Sequence, residues 1–343
     1  MIAMPSFFIL NEEGESMLPD SFNQNKNVNC ESVLYLDANI CLDILNFFEN
    51  KGLSDKALIN IQTLILFCQQ NKMEVVPKFG AMELCYNRNS QKLDITKYRE
   101  FVNKIIYTFD RPFNESYKLN RLDFNYEVEV GEMDVKAFEA FFPLVLISYV
   151  TLLKIHILCK KNNPQKNNVI KNVKLFLHWC DKHLNASMAS EIQLAIKIFG
   201  GVSEFKKMIA VDKKGNVSDN ILRPIWGTSW DFFHMRMIHF STMNSKMEYK
   251  TYFVTQDGNI STLFKSYTLD GAITCSSQPF MSFVSYIMEI PYKDEYILEE
   301  LYSILNEFLF ERARKSQIEE QYNMNLLFSL KNELENEIYK LNE

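Results

Sequence analysis

The sequence predicts an α/β fold, a parallel sheet flanked by helices, with a large helical insertion inside it and further helices after it. Two runs suggest the sheet. Val33-Leu34-Tyr35-Leu36 is apolar and β-prone and runs into Asp37, while Thr251-Tyr252-Phe253-Val254-Thr255 is strand-like and is followed by Asp257. The insertion is suggested by residues 135–161, 168–184 and 187–199, which read as three helices in succession between those runs.

Residues 1–32 form an N-terminal segment with no basic stretch before an apolar run, so residues 1–29 do not read as a signal peptide. The first strand leads into paired helices reaching residue 71. A second short apolar run, Val75-Val76-Pro77, then precedes a helix whose first turns hold Glu83. Further helices extend to Tyr107. Residues 109–134 are polar and irregular, and the alternation Tyr126-Glu127-Val128-Glu129-Val130 suits an edge strand. The insertion helices are separated by residues 161–168 and 185–187, rich in Asn, Lys and Ser, and stop at Gly200-Gly201. Within the first of them, the apolar run Phe141–Leu153 is bounded by Glu139 and Lys154 and is too short for a bilayer span, so it reads as a buried core helix and no membrane partner is expected. Asp231 lies just inside a helix that Thr228 or Ser229 is placed to cap.

After residue 293, Tyr296, Leu301, Leu305 and Phe308, then Leu327, Leu330, Leu334, Ile338 and Leu341, recur at helical spacing, giving two amphipathic helices broken near Ser316. They either pack on the body or offer the last helix to a second subunit or a protein partner as a coiled coil. The expected division is therefore an N-terminal segment (1–32), a discontinuous sheet-bearing domain (33–109 and 215–292), a helical insertion (110–214) and acidic C-terminal helices (293–343).

A chain of 343 residues that is 47% hydrophobic has enough apolar surface for a large core, and ten glycines with nine prolines exclude a collagen-like or wholly disordered chain. Its seven cysteines, at 30, 41, 68, 85, 159, 180 and 275, are scattered without a Cys-x-x-Cys pair, a usage expected of a reducing, cytoplasmic setting. The net charge of −6 is unevenly placed: residues 293–343 hold six Lys and Arg against twelve Asp and Glu, which accounts for all of it. Residues 154–214 carry twelve lysines against four acids, an excess of +8 inside the insertion.

Four acids stand where metal-dependent phosphodiester chemistry requires them: Asp37 and Asp257 after strands, Glu83 and Asp231 in the first turns of helices. Hydrolysing a phosphodiester calls for charge neutralisation at the phosphate and a water of lowered pKa. Mg²⁺ or Mn²⁺ supplies both, and such hard cations take carboxylate oxygens and retain several waters. Four converging carboxylates suffice for one ion or for a pair roughly 3.5 to 4 Å apart.

The order Asp37-Ala38-Asn39 after a strand, a helical Glu83, Ser229-Trp230-Asp231 opening a helix and Val254-Thr255-Gln256-Asp257 after a strand resembles the PIN domain nucleases. The stretch Asp270–Met281 is similar to that family's last strand with its following turn and helix. The resemblance covers residues 33–93 and 222–286, interrupted by an insertion longer than the family's usual spacing. It implies a PIN-like parallel sheet whose carboxyl edge gathers Asp37, Glu83, Asp231 and Asp257 around Mg²⁺ or Mn²⁺ to cut RNA or, less often, DNA. Asn39 and Thr255 stand beside two of these carboxylates and are expected to steady them or a bound water. Asp94 and Glu100 compete for the place given to Glu83, and Asp43 for a fifth carboxylate.

Lys160, Lys161, Lys166, Lys171 and Lys174 are spaced to follow a phosphate backbone, or else to solvate the outer faces of a helical hairpin. His156-x-x-Cys159 and Cys180-x-x-His183 have spacings that a zinc site uses, although His and Cys are ordinary on helix flanks. His234 and His239 share the helix opened by Asp231 and either approach the phosphate or simply pack. The leading expectation is a cytoplasmic endoribonuclease, by analogy a toxin or antiviral effector. The alternative is a non-catalytic scaffold of the same fold acting through a partner such as an ATPase.

Overall fold

Short apolar and aromatic runs of the chain come together as one mixed sheet. The computed structural model describes residues 7–11, 15–17, 31–88, 90–110, 132–184, 188–244, 249–265, 267–275, 278–288, 294–315 and 323–343. The strands are β1 (Phe8–Leu10), β2 (Ser16–Met17), β3 (Glu31–Leu36), β4 (Glu74–Val76), β5 (Tyr86–Asn87), β6 (Lys92–Leu93), β7 (Tyr249–Thr255), β8 (Tyr267–Cys275) and β9 (Gln278–Met288). Five of them form a sheet of order β2-β1-β7-β3-β4, while β5 pairs with β6 and β8 with β9. The fold is α/β, mostly helical, and the adjacent strands β7, β3 and β4 are parallel.

The chain divides into two units, residues 1–139, 234–265 and 272–283 in the first and 140–233, 266–271 and 284–343 in the second. The boundaries differ from those expected. Residues 1–32 do not stand apart, because β1 lies antiparallel to β7 with Ile9 opposite Val254, and Ile9 and Leu10 are buried. A run of so few apolar residues has no readable period. The tail likewise joins the insertion in one unit. The edge strand expected near Tyr126 lies outside the described residues. The stretch Asp270–Met281, likened to a last strand before a turn and a helix, falls instead on two strands, the end of β8 and the start of β9, and β9 continues to Met288.

In the first unit, α1 (Ala38–Phe48) and α2 (Asp55–Asn71) follow β3, and α3 (Lys78–Cys85) and α4 (Ile95–Asp110) follow β4. Ser54 caps α2 by accepting the Ala57 amide at 3.2 Å, which ends the loop after α1. Ile40, Cys41, Ile44 and Leu45 of α1, Ile61, Leu64 and Ile65 of α2, and Ile105 of α4 form one buried cluster with Leu34, Leu36 and Val254 of the sheet. Burial of such side chains contributes roughly 1.5–3 kcal/mol each, so this cluster fixes where the strand ends point.

The second unit is mostly helical: α5 (Glu132–Asn162) for most of its length, α6 (Val169–His183), α7 (Ala189–Phe199), α8 (Ser203–Lys206), the start of α9 (Arg223–Asn244), then, past α10 (Gly258–Phe264) of the first unit, α11 (Glu295–Lys315) and α12 (Met324–Asn342), with the first part of β8 and the last part of β9. Pro143 lies inside α5, where it has no amide proton for the Glu139 carbonyl one turn back, and the units divide between Glu139 and Ala140. By length and composition α5 is apolar enough to cross a membrane, with mean hydropathy 1.9 over its window; 78% of that window is buried inside the protein, as in a core helix. Leu301, Leu305, Leu327, Leu330, Leu334 and Ile338 of the tail helices are buried as well, so their apolar stripes are covered by the chain itself.

Candidate metal centre

Because β3, β4 and β7 run parallel, the residues after Leu36, Val76 and Thr255 emerge at one edge of the sheet. The chain leaves β3 toward β4 on one side and pairs with β7 on the other, so Asp37 lies at a crevice between strands of opposite succession, the usual place for ligands in open α/β sheets. The register sets Leu36 opposite Val254, and the Asp37 amide donates to the Val254 carbonyl at 3.1 Å. The Thr255 hydroxyl donates to Asp37 Oδ2 at 2.8 Å and accepts the Asp257 amide at 3.0 Å. Thr255 thus links the Asp37 carboxylate to the backbone before α10. Asn39 is exposed, and what it brings to Asp37 is its backbone amide.

Glu83 reaches the same edge because α3 approaches α1 closely at Gly80. A Cβ there would stand 2.6 Å from the Leu36 carbonyl oxygen, 2.8 Å from Cys41 Sγ and 3.0 Å from the Ala38 nitrogen. His234 completes the set from α9, its ring 5.5 Å from that of Phe253. One ligand atom from each of Asp37, Glu83 and His234 lies within 4.8 Å of the others, and among the described residues no other such group of three occurs. Donors bound at about 2.1 Å stand about 3 Å apart when adjacent and about 4.2 Å when opposite, so the three fit a divalent ion after small side-chain movements.

Asp37 and His234 are each 2% exposed, and Glu83 is half-buried. Burial raises the Asp37 carboxyl from 3.8 to about 6, against the Thr255 hydroxyl and the Ala38 and Asn39 amides; the charge of Asp257 adds to the rise. Burial also lowers His234 from 6.5 to about 4, with the Phe79 backbone acting the other way. The Cys41 thiol is pushed up by burial and then by Asp37 and Glu83, so it remains a neutral packing group.

The other expected ligands have different surroundings. Asp257 caps α10, its Oδ1 accepting the Asn259 amide at 2.7 Å and the Ile260 amide at 3.4 Å. Asp231 is half-buried well inside α9, which begins at Arg223 and not at the expected Thr228 or Ser229, whose hydroxyls donate to the Met208 and Trp226 carbonyls; it lies three residues before His234 and is not in the converging group. Asp43 accepts from Gln256 at 2.7 Å, Asp94 accepts the Lys97 amide at 3.0 Å and Glu100 pairs with Lys104 at 2.6 Å, so each has a partner apart from the cluster. His239 stacks on Phe264, with centroids 5.0 Å apart. The zinc spacings produce no converging set either: His156 Nδ1 meets the Ile209 carbonyl at 2.8 Å, and burial pushes Cys159 up to about 12. The signal that would have found His234 is its place one helical turn after Asp231 on the same face. A cleft of about 360 Å³ beside β4, lined by Cys68, Met73, Val75 and Phe109 among others, includes none of the cluster residues.

Three of the five insertion lysines meet the tail. Lys174 pairs with Glu300 at 2.7 Å, Lys166 with Asp294 at 3.1 Å, and Lys161 with Glu337. Lys154 lies over the Trp179 ring at 5.6 Å, and Tyr149 donates to Glu335 at 2.8 Å. The basic excess of the insertion and the acidic excess of the tail therefore face each other within one unit. Among the described residues Lys160 and Lys171 have no ion-pair partner. Exposed pairs of this kind contribute about 0–1 kcal/mol each, so the buried leucines and not the ion pairs hold the tail down.

Comparison with protein-family models, with curated proteins and with solved structures found no match to the chain.

Proposed function

We propose that the chain is a metal-dependent phosphodiesterase, an endonuclease acting on RNA in preference to DNA and built on a PIN-like sheet. The observation that carries this reading is the convergence of Asp37, Glu83 and His234 at the carboxyl edge of parallel strands. When bound, Mg²⁺ or Mn²⁺ neutralises charge on the phosphate and lowers the pKa of an attacking water. Asp37 and Glu83 would hold the cation, with one oxygen of the Asp37 carboxylate fixed by the Thr255 hydroxyl. The walls around Asp37 and His234 exclude bulk water and strengthen electrostatic interactions at the phosphate. Asp231, one turn from His234, and Asp257, beside Thr255, are the remaining candidates for orienting water or a second ion. The preference for RNA and a toxin or antiviral role rest on the resemblance to PIN nucleases, and a cytoplasmic setting on the scattered cysteines.

Incubation with single-stranded and duplex RNA and DNA, in Mg²⁺, Mn²⁺ or EDTA, tests this. Cleavage of single-stranded RNA that EDTA stops and that Glu83→Gln removes is the expected result. Indifference of all four polymers to the protein with either metal would overturn it. Thr255→Val is expected to slow cleavage without abolishing it, by roughly 10–100-fold, as loss of a group that orients a ligand does; an unchanged rate would assign Thr255 to the sheet alone.

The tail ion pairs also bear on how the polymer is held. Lys160→Gln with Lys171→Gln is expected to weaken binding of all sequences and to flatten its salt dependence by about one counterion per lost phosphate contact. Lys161, Lys166 and Lys174, matched with Glu337, Asp294 and Glu300, are expected to contribute less. A slope that falls only when those three are replaced would reverse this assignment.

The scaffold reading draws on one observation: Asp257 has a structural task as the cap of α10. Asp37 likewise stands at the start of a helix, α1, but ligand atoms of Glu83 and His234 converge on it, and that favours the enzyme.

A further inference from the structure

From the donor set at the sheet edge we infer that the centre selects a first-row transition dication, Mn²⁺ in place of Mg²⁺, and that His234 is the ligand that makes the choice. The inference rests on the metal-dependent reading above and adds to it a nitrogen donor that the spacing of acids had not assigned.

Mg²⁺ is bound by oxygen and sheds its waters reluctantly, so a site for it ordinarily offers one or two carboxylates and leaves the rest of the shell to water and phosphate. Imidazole suits borderline ions, and a mixed nitrogen and carboxylate set binds first-row metals in an order in which Mn²⁺ is already able to use it. Here the group is one imidazole and two carboxylates with a ligand atom of each within 4.8 Å of the others. His234 is 2% exposed, its ring is fixed beside Phe253 at 5.5 Å, and Asp37 is held by Thr255 at 2.8 Å. Two of the three donors are thus placed before any ion arrives, so Mg²⁺ would have to exchange hydration for a nitrogen it binds poorly. Three protein donors leave further positions open for water or a phosphate oxygen.

The test uses the full chain with Mn²⁺ alone and Mg²⁺ alone. Titration calorimetry is expected to show Mn²⁺ binding roughly tenfold or more tighter than Mg²⁺, and pulsed electron paramagnetic resonance of the Mn²⁺ protein is expected to show nitrogen hyperfine coupling from a bound imidazole. His234→Gln should remove the coupling and most of the preference, while His234→Asp should restore Mg²⁺ binding without the coupling. The wild-type spectrum serves even where a variant fails to fold. Equal affinity for the two ions, or bound Mn²⁺ with no nitrogen coupling, would overturn the assignment. The two readings fail separately: a nitrogen-coupled Mn²⁺ site in a protein that cuts no polymer refutes the nuclease and leaves this inference standing, whereas Mg²⁺-supported cleavage without coupling does the reverse.

Discussion

Asp37→Asn is expected to abolish cleavage and, in the metal-free protein at pH 7, to raise stability by something on the order of 3 kcal/mol. The stability gain follows from burial, which lifts the carboxyl from 3.8 to about 6. A carboxyl whose folded pKa lies above its unfolded value is most favourable to folding below pH 3.8, and that contribution is lost as pH rises through about 6. Asparagine keeps an oxygen for the Thr255 hydroxyl and carries no charge, so its advantage should grow across that window and vanish near its lower end. His234 acts in the opposite direction: with a folded value near 4 against 6.5, its contribution is complete above pH 6.5 and is lost as pH falls through about 4. Urea unfolding of wild type and variant, each with EDTA, over the range from about pH 4 to pH 7 separates the two, because the His234 contribution is common to both proteins and cancels, leaving that of Asp37 in the difference. A variant less stable than wild type at pH 7 would mean that the buried carboxylate is held without cost.

Gly80→Ala is expected to be the most damaging change outside the ligands themselves. In an open helix the replacement would stabilise by about 1 kcal/mol. Here the new methyl would stand 2.6 Å from the Leu36 carbonyl oxygen and 2.8 Å from Cys41 Sγ. The first of these is backbone of the central strand, so α3 must move, at a cost of roughly 1–3 kcal/mol. Since Glu83 lies three residues further along the same helix, the movement should also weaken metal binding roughly 10–100-fold, although Gly80 itself has no side chain to offer a ligand. Calorimetric Mn²⁺ affinity beside the urea midpoint checks both parts. An alanine variant as stable as wild type, with unchanged affinity, would show that the close approach of α3 to α1 is not what sets Glu83 in place.

Much of the local structure was legible because it rests on short-range rules. Val33–Leu36 and Thr251–Thr255 alternate and branch as strands do, residues 135–199 hold a helical period, and each stretch folded accordingly. The acids after the strands were legible for the same reason, since parallel strands deliver their following residues to one edge. β1 was not legible: its few apolar residues become a strand only because β7 offers an unpaired edge to cover. The lysines of the insertion were legible as a charge excess, yet nothing local in Lys161, Lys166 or Lys174 points to Glu337, Asp294 and Glu300, which lie more than a hundred residues away in the chain.

By itself the sequence determined that Val33–Leu36 and Thr251–Thr255 are strands and that the insertion is helical, where acids follow strands, and that the insertion is basic and the tail acidic. Propensity, period and charge are properties of neighbours in the chain, and those suffice for each. Only the tertiary structure decided which side chains meet. The register of Leu36 opposite Val254 brings Thr255 onto Asp37, the bare Cα of Gly80 lets α3 carry Glu83 inward, and packing against Phe253 sets the ring of His234. His234 rather than a third carboxylate joined Asp37 and Glu83 because convergence is settled by long-range packing, on which the local pattern that suggested Asp231 has no bearing.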